Sequence, residues 1–178
     1  MQALILAGGE GTRLRPLTST IPKPVVPLVD QPFISYMLEW LRGHGVDDVI
    51  LSCGFMADGV RNVLGDGSKL GIRLRCVEEP RPLGTGGALK FAHQWLDERF
   101  FMLNGDVLTD IDLTAQLSQH QRTGARTTVV NEVGARRPCC AAGGDVLERA
   151  VVLPGAPLTV VDIEHISEAG TDSFDQLL

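Results

Sequence analysis

Apolar positions along this chain alternate between two periods, one suited to strands and one to helices. Residues 2–7 (QALILA) form an unbroken apolar run, as expected of a strand buried on both faces. Phe33, Ile34, Met37, Leu38 and Leu41 then recur on one face of a helix over 33–42. Pro32 suits its first turn, and Gly43 and Gly45 end it. Residues 48–53 predict a strand and 56–64 a short helix. In 72–78, Ile72, Leu74 and Cys76 alternate with arginines, which predicts a strand with one wet face. A helix over 86–97 and a strand over 99–104 follow, the strand ending in Gly105-Asp106. A helix over 112–122 carries Leu113, Leu117 and His120, and a strand covers 126–131.

This alternation with short connections predicts an α/β fold: a three-layer α/β/α sandwich around a mostly parallel, Rossmann-like sheet. Right-handed crossovers place all strand carboxyl ends on one edge, where such sheets bind ligands. The glycine-rich stretch after the first strand, the loop over 79–87 and Asp106 all follow strands. They are therefore expected to open onto one crevice. After residue 133 the pattern breaks. Residues 134–144 (GARRPCCAAGG) predict a linker, and residues 145–178 a short tail. Val146, Val152 and Leu158 lie six apart, the spacing of hexapeptide repeats, so this tail is expected to resemble a fragment of a β-helix.

Charge narrows the possible partners. The 178 residues carry 16 Lys+Arg against 22 Asp+Glu, a net charge of −6. A general nucleic-acid or anionic-membrane binder is normally basic, so neither partner is expected. The start lacks the basic region of a signal peptide, and no run approaches the ~18 apolar residues of a membrane span. The cysteines (Cys53, Cys76, Cys139, Cys140) fit no zinc spacing and read as reduced thiols, so a cytoplasmic setting is expected. His44, His93, His120 and His165 share no ligand spacing and read as structural or solvated.

Any anion must then be held by local geometry, and residues 4–24 (LILAGGEGTRLRPLTSTIPKP) offer it. Gly8, Gly9 and Gly11 let backbone N–H groups turn toward a ligand with no Cβ in the way. Arg13 adds a planar cation suited to phosphate oxygens, and Lys23, between Pro22 and Pro24, adds a point charge on a stiffened segment. The loop is not a P-loop, since no Gly-Lys pair is followed by Ser or Thr. It also lacks the third glycine of the dinucleotide fingerprint. Other readings exist for single residues: Asp106 as a cap of the turn after its strand, Glu79 as a solvated carboxylate, and Gly84, Gly86 and Gly87 as the opening of a helix.

The stretch LAGGEGTRLRPLTSTIPKP closely resembles the signature L-A-G-G-x-G-T-R-L-x-P-L-T-x-x-x-P-K-P of the sugar-phosphate nucleotidyltransferases, the NDP-sugar pyrophosphorylases. VEEPRPLGTGGAL (77–89) and FFMLNGDVLTDIDL (100–113) agree with it in order. The resemblance covers residues 1–130. It is nearest to the mannose-1-phosphate guanylyltransferases and the glucose-1-phosphate thymidylyl- or uridylyltransferases. It implies a magnesium-dependent reaction of an NTP with a sugar 1-phosphate. By the same resemblance, Leu6, Ala7, Gly8, Gly9, Gly11 and Thr12 hold the nucleotide. Arg13 and Lys23 serve the phosphates, Glu79 and Gly84 serve the base, and Asp106 ligates Mg²⁺.

Past residue 130 the resemblance stops, and the chain reads as truncated or internally deleted there. Family members carry a Glu-Lys-Pro whose lysine grips the sugar phosphate, and later a second metal aspartate. Here the lysines are Lys23, Lys69 and Lys90, and none stands in a Glu-Lys-Pro. Two expectations follow: a nucleotidyltransferase, or a catalytically dead nucleotide-binding or assembly module. Loss of strands from a parallel sheet exposes apolar edges, so self-association, as a homo-oligomer or otherwise, is also expected.

Overall fold

The computed structural model describes residues 1–54, 56–125, 127–131, 150–154 and 158–162. Its strands are β1 (Gln2–Ala7), β2 (Pro27–Leu28), β3 (Gln31–Pro32), β4 (Asp48–Cys53), β5 (Arg73–Glu78), β6 (Arg99–Asn104), β7 (Thr127–Asn131), β8 (Ala150–Pro154) and β9 (Leu158–Asp162). Its helices are α1 (Phe33–Gly43), α2 (Ala57–Leu64), α3 (Gly84–Ala92) and α4 (Leu113–Thr123). The main sheet has the order β5-β4-β1-β6-β9-β7-β8, and β2 and β3 form a separate small hairpin. The first four strands of that order are mutually parallel.

Both faces of β1, β4 and β6 are buried, as the apolar run at residues 2–7 requires, while β5 keeps Arg73 and Arg75 exposed. Ala3, Ile5, Val49, Leu51, Phe101 and Leu103 pack on one side with Ile34, Met37, Leu38 and Leu41 of α1 and with Val60 of α2. Leu4, Ile50, Val77, Phe100 and Met102 pack on the other with Leu89 and Ala92 of α3. The chain is thus an α/β fold built on a parallel four-stranded sheet flanked by helices. The helix expected over 86–97 starts two residues earlier, at Gly84, and tightens into a 3-10 turn at His93–Trp95. His120 is buried and its Nδ1 lies 2.8 Å from Thr128 Oγ1, a packing contact that fits a structural histidine.

Two described segments after residue 133 are placed differently from the sequence reading. The linker over 134–144 lies outside the described residues, as does most of the tail. Within the tail, Ala150–Pro154 and Leu158–Asp162 pair into the main sheet rather than forming rungs of a separate β-helix. β9 runs antiparallel between β6 and β7, and β8 pairs parallel with β7. The physical reason is the open side of β6. Its row of backbone donors and acceptors needs a partner, and an apolar segment of either period can supply one. β9 thereby covers the edge of β6 that a shortened chain is expected to expose. No helix among the described residues is long and apolar enough to cross a membrane.

Candidate functional site

The carboxyl ends of β1, β4, β5 and β6 meet at one edge, and the loops that leave them are tied together by close backbone contacts. Gly11 has φ +63°, a left-handed conformation that suits glycine. Its carbonyl accepts hydrogen bonds from the Thr18 hydroxyl at 2.7 Å and from the Leu14 N–H at 2.9 Å. A Cβ on Gly11 would stand 3.0 Å from Thr18 Cγ2 and 3.2 Å from Lys23 Cβ. The glycine loop therefore folds back onto the segment that carries Lys23. That segment is seated in turn: a Cβ on Gly59 of α2 would lie 2.7 Å from Pro22 Cγ.

Gly105 performs the matching task on β6. Its N–H donates to the Leu6 carbonyl at 2.8 Å, and a Cβ there would stand 3.0 Å from that same oxygen. This close approach brings Asp106 beside Lys23, whose Nζ donates to Asp106 Oδ2 at 2.5 Å. The pair is only partly shielded, with side-chain exposures of 26% for Lys23 and 44% for Asp106. Arg13, in the short turn Thr12–Leu14, is exposed and makes no ion pair among the described residues.

Glu79 is engaged on both oxygens. Oε1 accepts from the Ser52 hydroxyl at 2.8 Å, and Oε2 accepts from the Leu83 N–H at 3.1 Å. Ser52 is fully buried on β4. Glu79 thus clamps the loop that leads into α3 against the sheet, and the solvated reading of this side chain gives way to a positioning one. The clamp also fixes Gly8, where a Cβ would stand 3.1 Å from Glu79 Oε1. Gly84 opens α3 with φ +68°, a left-handed conformation.

Three adjoining cavities result. An open cleft of about 670 Å³ is lined by Gly9, Gly11, Thr12, Arg13, Lys23 and Asp106, with Phe33 and Leu28 on its apolar side. A recess of about 250 Å³ lies among Leu6, Ala7, Gly9, Lys23, Asn104 and Asp106. A slot of about 260 Å³ lies among Leu6, Gly8, Glu79, Leu83, Gly84 and Asn104. Gly9 borders all three. Every candidate residue from the sequence therefore lines one of these spaces. Sequence reasoning missed three supports. Thr18 stood inside the quoted signature without a role, Ser52 looked like any strand serine, and Asn104 was read only as the end of a strand.

The residues around Asp106 fit a magnesium ion of a particular kind. No group of three or more His, Cys, Asp or Glu side chains that could hold a metal occurs among the described residues. Asp106 offers a single hard carboxylate in a polar recess. Mg²⁺ commonly binds through one or two carboxylates and takes its other ligands from water and substrate phosphates. Such a donor set suits a metal that arrives with a polyphosphate.

A nucleotidyl transferase family model matches residues 2–138. The chain belongs to that family. It is 41% identical over 135 residues to mannose-1-phosphate guanylyltransferase 1 of Arabidopsis thaliana, a match covering 73% of this chain and 37% of the relative. It is 35% identical over 144 residues to the UTP–glucose-1-phosphate uridylyltransferase of Synechocystis sp., covering 74% and 37%. The chain thus spans little more than a third of the length of these relatives. Among solved structures, HddC from Yersinia pseudotuberculosis in complex with GMP-PN superposes with a TM-score of 0.72 at 25% identity, covering 94% of this chain and 79% of that one.

Proposed function

We propose that this site binds a nucleoside triphosphate and transfers its nucleotidyl group to a sugar 1-phosphate, giving an NDP-sugar and pyrophosphate. The observation that supports this reading is the division of one crevice. A slot of about 260 Å³ adjoins, across Gly9, a larger cleft that gathers two cations and a carboxylate. In the proposed reaction a phosphate oxygen of the sugar 1-phosphate forms a bond to the α-phosphorus. The bond from that phosphorus to the bridging oxygen breaks, and pyrophosphate leaves with the electron pair. No protein nucleophile is needed, so positioning and charge stabilisation carry the step.

The chain's own groups have distinct tasks in this reading. The backbone from Leu6 to Thr12 cradles the phosphates. Arg13 spreads its charge over the α-phosphoryl oxygens and the departing pyrophosphate. Lys23 leaves Asp106 to meet phosphate oxygen, and Asp106 is then free to hold Mg²⁺. Magnesium held there would supply positive charge against the phosphates. Glu79 keeps the slot open at a fixed width, and Gly84 lets the base approach the helix backbone.

Calorimetric titration with the four ribonucleoside triphosphates, with and without Mg²⁺, tests the binding half of the proposal. Magnesium-dependent binding of at least one supports it, and pyrophosphate release on adding mannose or glucose 1-phosphate would establish turnover. Binding without pyrophosphate release would instead mark a nucleotide-binding module, in line with the missing Glu-Lys-Pro. Folded protein that binds none of the four would overturn the reading.

A further inference from the structure

Asn104 stands where the slot and the phosphate recess meet. It is the last residue of β6, in register with Leu6 of β1. Phe100 and Met102 face the α3 side of the sheet. The two-residue period of the strand puts Asn104 on that same side. Leu6 and Asn104 border both the slot that holds Glu79 and Gly84 and the recess that holds Lys23 and Asp106. Asn104 is half-buried, and its carboxamide makes no side-chain hydrogen bond among the described residues. The neighbouring polar side chains differ: Ser52, Glu79, Lys23 and Asp106 are each bonded to another protein group.

Resting on the nucleotide-binding reading above, we infer that Asn104 binds the ribose of the nucleotide and makes the site select ribo- over 2′-deoxyribonucleotides. The order of the spaces carries this assignment. With the base in the slot and the phosphates in the recess and cleft, the group that must pass Asn104 is the sugar. A carboxamide presents one acceptor and two donors side by side. A vicinal diol has the complementary pattern, since each hydroxyl both donates and accepts. Gly105 reinforces the placement, because its hydrogen bond to the Leu6 carbonyl pins the backbone directly after Asn104 against β1. The amide is thus delivered on a rigid strand end rather than on a mobile loop. In the ligand-free protein it has no internal bond to give up before it meets a ribose.

The test is calorimetric, on the whole chain with Mg²⁺ and no sugar phosphate. The tightest-binding ribonucleoside triphosphate is compared with its own 2′-deoxy analogue, on the wild type and on Asn104→Ala and Asn104→Ser. The wild type should prefer the ribonucleotide by about tenfold, the upper range for a neutral hydrogen bond. Asn104→Ala should weaken the ribonucleotide about tenfold more than the deoxynucleotide, which loses only the contact to its remaining 3′-hydroxyl, so that the preference falls to about one. Asn104→Ser, which keeps a hydroxyl, should retain part of it. Equal affinities for the two nucleotides in the wild type would overturn the inference without recourse to any variant. So would a preference that survives in Asn104→Ala. Failure of every triphosphate to bind the wild type would overturn the nucleotide reading itself, and this inference with it.

Discussion

The two ends of the parallel sheet use polar residues in opposite ways. At the amino-terminal end the polar groups are spent on one another. Gln2 is only 3% exposed, and its Nε2 donates to Asp48 Oδ2 at 3.0 Å and to the Trp95 carbonyl at 3.1 Å. Its Oε1 accepts from the Asp97 N–H at 2.6 Å, and Asp48 is paired in turn with Arg73 at 3.0 Å. At the carboxyl end Arg13 has no ion pair and Asn104 no side-chain bond among the described residues. Lys23 and Asp106 share one half-exposed contact that a ligand can exchange. A closed network contributes to folding and has nothing left to offer a ligand. Open groups contribute little to folding and keep their bonding capacity for what arrives. Changes at the two ends should therefore separate affinity from stability.

The largest effect is expected at the open end. Arg13→Ala combined with Asp106→Ala removes the cation proposed to meet phosphate and the carboxylate proposed to hold the metal. Magnesium-dependent nucleotide affinity should fall by about 100-fold or more, since each charged contact to phosphate contributes about 1.5–3 kcal/mol. Thermal stability should barely move, because both side chains are exposed and make no core contact. Calorimetry beside a melting curve reads both quantities. A large drop in melting temperature would break the contrast between the ends.

The converse change comes next. Gln2→Leu removes the part-buried partners of the Asp97 N–H and the Trp95 carbonyl, at a cost of about 2 kcal/mol. For a chain of this size that is about 4–8 °C in melting temperature. Nucleotide affinity, measured well below the transition, should stay at the wild-type value. An affinity loss comparable to that of the Arg13 and Asp106 pair would show that the two ends are coupled through the sheet.

This division also explains what the sequence disclosed. The parallel strands were legible because burial on both faces leaves unbroken apolar runs, as in QALILA and in DVILSC over 48–53. The glycine loop was legible because glycines and cations crowd a stretch unsuited to core packing. The network around Gln2 was not, since its members lie 46 and 93–95 residues apart and only the sheet register brings them together. The clamp on Glu79 was hidden likewise, because it depends on Ser52, 27 residues away on a neighbouring strand. The pairing of Leu158–Asp162 with β6 was missed for a different reason. A six-residue spacing of apolar positions is also a multiple of the two-residue strand period, so periodicity alone does not separate a β-helix rung from a sheet strand.

Ser52→Ala sharpens the comparison, because this hydroxyl is a closed group placed at the open end. Its loss leaves Glu79 Oε1 without its donor, and about 1 kcal/mol of stability should go with it. The slot should loosen as well, weakening nucleotide binding by a few-fold while leaving magnesium dependence intact. Denaturant unfolding and calorimetry on the same preparation check both. Lost stability with unchanged affinity would show that Glu79 holds the fold and not the slot.

The smallest effect is a pH dependence confined to the closed end. Burial pushes the Asp48 carboxyl upward, but hydrogen bonds from Arg73 and Gln2, together with the charges of Arg73 and Arg75, outweigh it and hold the group below its usual value. The folded protein therefore binds this proton less readily than the unfolded chain does. The stabilisation is present above the ordinary carboxylate range and is lost as pH falls through the folded value. Arg73 is 75% exposed, so water screens the pair and the contribution stays below about 1 kcal/mol. Urea unfolding at pH 7 and pH 3 should show Asp48→Asn losing less stability on acidification than the wild type, by that small margin. Equal losses would mean that Gln2 alone organises this end. A larger difference would mean that Asp48 acts as a buried charge, whose removal unsettles the strands β1, β4 and β5 from which the carboxyl-end loops depart.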